Sequence, residues 1–156
     1  MDFLSVKKAH DGNMCEKFIK MSAHSSVSTK MARAPDFEFL EHMADIKFIA
    51  RGATPARVFE NAVRALCAYI TGDTNIKQRL MTRIEVEGQD YESLLYAFLD
   101  ELLYFLDAEH FVTARATVEV EGTKACAMLY GDDAGEYKLK HVKAATYAEM
   151  YVKETL

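Results

Sequence analysis

The densest group of chemistry-bearing side chains in the sequence is Glu41-His42-Met43-Ala44-Asp45, where two carboxylates flank an imidazole. Such a turn can hold a cation. A hard ion takes carboxylate and carbonyl oxygens, typically six or more for Ca²⁺, and this turn alone supplies too few. The competing structural reading is an Asx-type turn in which Asp45 accepts from nearby backbone N–H groups. On residue types alone that reading is favoured. A second candidate is Lys143, on the strand face opposite Val142 and Ala144 and shared with Tyr147 and Tyr151. A lysine there can meet a phosphate or an acidic group of a partner. Its structural reading is a solvated strand lysine. Asp132-Asp133 is read as part of a solvated loop.

Enzyme signatures are missing. There is no G-x-S-x-G elbow, phosphate loop, G-x-G-x-x-G or H-E-x-x-H, each of which carries a known chemical mechanism. His10, His24, His42, His110 and His141 are scattered. The expectation is a protein that is not an enzyme. Cys15, Cys67 and Cys126 are widely spaced and include no C-x-x-C pair, which disfavours a zinc ribbon or redox dithiol. Cys67 falls in a helical apolar stripe and Cys126 in a strand-like run, so both are expected as buried free thiols. That usage suits a reducing compartment.

The net charge of the 156 residues is −5. Nucleic-acid binding rests largely on neutralising phosphates and shows as a basic patch or stripe. None is visible in the overall balance. A link to RNA is therefore expected to run through a protein partner, without direct sequence-specific RNA binding. No apolar run reaches the roughly 20 residues that cross a bilayer, so no membrane association is expected.

Positioning these residues requires a folded unit. Residues 1–34 carry six basic residues against three acids, include Ser25, Ser26 and Ser28, and show no sustained period. They are expected to form a disordered or extraneous tail; the alternative, a transit peptide, fits poorly because arginine is scarce and acids are present. Residues 35–156 are expected to form the domain. Phe37-Glu38-Phe39 and Ile46 to Ala50 alternate, predicting two short strands around a turn. Thr54-Pro55 opens a helix as cap and first residue. Its stripe is Val58, Phe59, Ala62, Val63, Leu66, Cys67 and Ile70. Ile84 and Val86 mark a strand. Asp90 caps a second helix, whose stripe runs through Leu94, Leu95, Phe98, Leu99, Leu102, Leu103 and Leu106. Val112, Ala114, Ala116, Val118 and Val120 give a half-buried antiparallel strand, with a hairpin turn at Gly122-Thr123. The alternation from Val142 to Val152 predicts a last strand. The order β-β-α-β-α-β-β-β predicts an α+β two-layer sandwich, with a mostly antiparallel or mixed sheet and two main helices on one face.

Four stretches then resemble one family in register. Phe37-Glu38-Phe39-Leu40-Glu41-His42-Met43-Ala44-Asp45 is similar to the archease opening F/Y-E-F/Y-L-E/D-H-T-A-D. Phe59-Glu60-Asn61-Ala62 resembles its F-E-N-A. Phe98-Leu99-Asp100-Glu101-Leu102-Leu103-Tyr104 resembles its F-L-D-E-L-L-Y. Val142-Lys143-Ala144-Ala145-Thr146-Tyr147 resembles its V/I-K-A-V/I-T-Y. The resemblance implies a non-catalytic activator of an RtcB-type RNA ligase in tRNA splicing, promoting guanylylation and multiple turnover. It implies that Lys143 and Asp45 are the partner-activating residues. It also implies a divalent cation, calcium or another, held by Asp45 with a second acidic ligand from a C-terminal strand beyond the end of this chain. Binding is expected to be weak because that strand is apparently missing. Met43 stands where the family has Thr. The implied location is cytoplasmic, and also nuclear in a eukaryote. The alternative is a general protein-binding or chaperone-like module, in which Lys143→Ala and Asp45→Ala would be silent.

Overall fold

The computed structural model describes residues 2–5, 35–40, 46–145 and 150–153. In chain order the elements are β1 (Asp2–Ser5), β2 (Phe37–Leu40), β3 (Lys47–Arg51), α1 (Pro55–Thr71), β4 (Leu80–Glu87), α2 (Tyr91–Asp107), β5 (Phe111–Glu121), β6 (Lys124–Asp133), one turn of 3₁₀ helix at Ala134–Glu136, and β7 (Val152–Lys153). The strands divide between two sheets, ordered β2-β3-β1-β7 and β4-β6-β5. Every described pairing is antiparallel. The α+β expectation holds, with two sheets in place of one. Of the segment read as a tail, the structure describes β1, which lies between β3 and β7; the rest of that segment lies outside the described residues.

Both helices start in the same way. Thr54 is extended and its hydroxyl accepts from Arg57 N at 3.2 Å, with Pro55 as first residue. Asp90 accepts from Ser93 N at 2.7 Å, and Ser93 Oγ accepts in return from Asp90 N at 3.0 Å. These caps satisfy N–H groups that the first turn leaves unpaired. Two positions before each cap stands a glycine that the close approach requires. A Cβ on Gly52 would lie 2.6 Å from Val58 N, and one on Gly88 would lie 2.4 Å from Leu94 N. Val58 and Leu94 are both the fourth residue of their helix. A strand–Gly–x–cap–helix unit therefore occurs twice.

One core lies between these layers. α1 buries Val58, Phe59, Ala62, Val63, Leu66 and Ile70; α2 buries Leu94, Leu95, Phe98, Leu99, Leu102 and Leu103. The rings of Phe59 and Phe98 meet at 5.2 Å. Fully burying one such side chain stabilises by about 1.5–3 kcal/mol. Cys67 and Cys126 are free thiols; each residue as a whole keeps some exposed surface, short of the full burial expected, although the Cys67 thiol itself is desolvated. In β3, Phe48, Ile49 and Ala50 are all buried in succession; Phe48 and Ala50 belong to the core, and Ile49 is buried on the opposite face of this inner strand. In β5 the alternation holds from Arg115 onward. A register shift between Thr113 and Arg115 leaves Ala114 as an extra, unpaired residue, and Thr113 is buried instead of facing outward, as a bulge that breaks the alternation would do. Among the described residues no helix is long and apolar enough to cross a membrane.

Candidate functional site

Lys143 lies on a segment that does not form the expected strand. From Lys138 to Ala145 the chain has no regular structure, and among the described residues beyond it only Val152–Lys153 pairs, with β1. Burial follows suit: Val142 and Ala145 are buried while Lys143 and Ala144 are exposed. A spacing of three replaces the alternation, because the segment is laid against α1 and held at separate points without laddering to a neighbour. One point is Lys140 N, which donates to Ile70 O at 2.8 Å. The other is Tyr137, whose hydroxyl donates to Asp132 Oδ2 at 2.5 Å and accepts from Lys77 N at 3.2 Å.

Asp132 is not the solvated loop residue expected. It is 2% exposed. Arg79 Nε donates to its two oxygens at 3.0 and 2.9 Å, Arg79 Nη2 lies 2.7 Å from Oδ2, and Asp133 N donates to Oδ1 at 3.0 Å. Arg79 also pairs with Glu136. A buried charge is tolerated when paired and hydrogen-bonded in this way. Above all the Arg79 guanidinium, aided by the Tyr137 hydroxyl, holds the Asp132 carboxyl down at about 2 against the opposing effect of desolvation. The same pairing raises Arg79 and Tyr137. Sequence reasoning missed this group because Arg79 and Asp132 are far apart in the chain and neither sits in a motif.

Beside Lys143 lies an apolar hollow lined by Ile46, Phe48, Leu66, Tyr69, Val142 and Ala144, among others. Asp45 and the rest of the Glu41–Asp45 turn lie outside the described residues, as does Tyr147. Ile46, which follows Asp45 in sequence, and the two neighbours of Lys143 share this one hollow. Among the described residues no three His, Cys, Asp or Glu side chains converge as a metal cage would require. Asp132 is spent on Arg79, Tyr137 and Asp133 N. The described part of the chain does not by itself fit the implied cation.

Two of the four resembling stretches have structural work. In Phe59-Glu60-Asn61-Ala62, Phe59 and Ala62 are fully buried. Asn61 Nδ2 donates to Arg51 O on β3 at 2.6 Å, and Glu60 Oε1 accepts from Val118 N on β5 at 3.2 Å. Adjacent residues thus tie α1 to both sheets. In the α2 stretch, Phe98, Leu99, Leu102 and Leu103 are core, while Tyr104 is 54% exposed. Comparison with known proteins accounts for this arrangement. The model of the archease protein family matches residues 37–156. The chain belongs to the archease family. Protein archease of Pyrococcus furiosus is 39% identical over 124 residues, covering 75% of this chain and 87% of the relative. Protein archease of Aeropyrum pernix is 33% identical over 122 residues, covering 73% and 85%. The solution structure of Methanobacterium thermoautotrophicum protein 1598 superposes with a TM-score of 0.63 at 29% identity, covering 77% of this chain and 90% of that one. In this archease, then, packing accounts for the two helical stretches but not for Lys143, whose side chain has no ion pair or hydrogen bond among the described residues.

Proposed function

We propose that this archease is a non-catalytic activator of an RtcB-type RNA ligase in tRNA splicing, and that Lys143 is the residue it presents to the ligase. One observation carries the reading: Lys143 is a charged, exposed side chain on a segment fixed at both flanks by Tyr137, Lys140 N and the buried Val142 and Ala145. A cation held in place costs little ordering on engagement, and it can stabilise developing negative charge in a partner's site. The resemblance of the four motifs points to the partner class, and membership of the archease family is consistent with it. The free thiols of Cys67 and Cys126 suit the cytoplasm, and in a eukaryote the nucleus as well. Asp45 is proposed as a ligand of a divalent cation on the resemblance of its turn. No step is assigned to that ion; a calcium titration in which Asp45→Ala leaves the heat unchanged would remove it.

The deciding experiment measures ligase guanylylation and RNA joining with ligase limiting and RNA in excess. The reactions contain this chain, no added chain, or its Lys143→Ala variant. The expected outcome is multiple turnover with the chain and a loss of at least tenfold in turnover with the variant. Equal rescue by the variant would reject Lys143 and favour a general binding module.

A further inference from the structure

Lys138, Lys140, His141 and Lys143 fall within six residues, and all four are exposed. The nearest acid in sequence, Glu136, is engaged by Arg79. These cations do not hang on a free tail, because the Tyr137 hydroxyl, the Lys140 N–H and the buried Val142 fix their backbone. An aromatic surface adjoins them. Lys140 Nζ stands 4.8 Å from the centroid of Tyr69, and Tyr69 stands 6.4 Å from Phe39. Phe39, on the edge strand β2, leaves 46% of its surface open.

Exposed cations adjoining an open aromatic surface are a pattern by which proteins hold single-stranded nucleic acid without reading its sequence: phosphates meet the cations and a base stacks on a ring. We propose that this surface binds a short single-stranded RNA end, with phosphates on Lys138, Lys140 and Lys143 and a base on Phe39. Overall charge hides the patch, since a net −5 opposes the approach of a polyanion to the molecule as a whole. The interaction is therefore confined to a few nucleotides and is weak, with a Kd of roughly 10⁻⁴ M at low salt. An acidic protein surface would use the lysines but would leave Phe39 without a role, so RNA is the better fit.

The test needs no ligase, so its outcome is separate from that of the activation assay. A fluorescently labelled hexauridylate and hexa-adenylate are titrated with the full chain over a salt series and followed by anisotropy. Both are expected to bind with similar affinity. Single strands give a log–log salt slope of about −0.7 per phosphate contact, hence about −2 for three. Lys140→Ala should reduce that slope by about 0.7. Phe39→Leu, which keeps an apolar side chain, should weaken binding about tenfold and leave the slope unchanged. Lys140→Glu, wholly on the surface, decides the matter if Phe39→Leu fails to fold. No anisotropy change, binding indifferent to Lys140→Glu, or equal competition by hexaglutamate would overturn the proposal; the last would assign the patch to an acidic protein.

Discussion

Asp132 shows how much one residue's role depends on partners far away in sequence. An Asp-Asp pair before Ala-Gly reads as a loop, and nothing local announces the guanidinium of Arg79 or the hydroxyl of Tyr137 that surround it. The pairing has a pH signature. Because the folded-state pKa of about 2 lies below the usual carboxylate value of about 3.9, the native state binds this proton less readily than the unfolded chain. The contribution to stability is therefore complete above about pH 4 and lost as pH falls from there through about 2. Asp132→Asn should destabilise at pH 7 and flatten the stability profile in that acid window, as measured by urea melts across pH. An unaltered acid limb would contradict the pairing. Cys67 gives a second residue-level prediction. Burial pushes its thiol up to about 12, and its Sγ lies 2.6 Å from Thr113 O. The thiolate is the nucleophile, so iodoacetamide at pH 8 should spare Cys67 in the native protein and label it after denaturation. Rapid native labelling of Cys67, read by peptide mass mapping, would refute that protection.

At the scale of elements, helices were legible and strand ends were not. The stripes of α1 and α2 have a helical period over 17 residues each, long enough for the pattern to be unambiguous, and Thr54, Pro55 and Asp90 announce their starts. The segment after β6 misleads because Val142, Ala144 and Ala148 alternate in sequence, yet its described part is tied to Ile70 and, through the Tyr137 side chain, to Asp132, without laddering to a strand. The bulge at Ala114 was invisible because Thr113, whose facing it changes, suits either face of a strand. The paired helix starts make a sharp prediction. Gly52→Ala and Gly88→Ala would each push a methyl into the backbone at the fourth residue of a helix. Overpacking of this kind costs about 1–3 kcal/mol, so both variants should lose that much in denaturant melts, while Thr54→Ala should lose about 1 kcal/mol as a cap. A neutral Gly88→Ala would mean that the approach of β4 to α2 is looser than described.

For the molecule as a whole, the question is what makes two sheets one protein. No described strand bridges them, so the joint must be helical. α1 supplies it with consecutive residues: Glu60 receives Val118 N from one sheet and Asn61 donates to Arg51 O of the other. α2 adds a second fastening, with Glu92 receiving Val152 N at 2.9 Å. Asn61 is 2% exposed, so Asn61→Ala removes a hydrogen bond made out of reach of water, at a cost of about 1 kcal/mol. The cost should not be shared equally. In native-state hydrogen exchange the wild-type β3 and β5 amides should open together at the global rate, because one core spans both sheets. With Asn61→Ala, β3 should exchange faster than β5, since the joint to its sheet is loosened while Glu60 still holds the other. Glu60→Ala, which removes the acceptor for Val118 N, should shift the balance towards β5. If Asn61→Ala instead accelerates both strands equally, the two sheets are locked by the shared Phe59–Phe98 core and the polar ties add stability without acting as a joint.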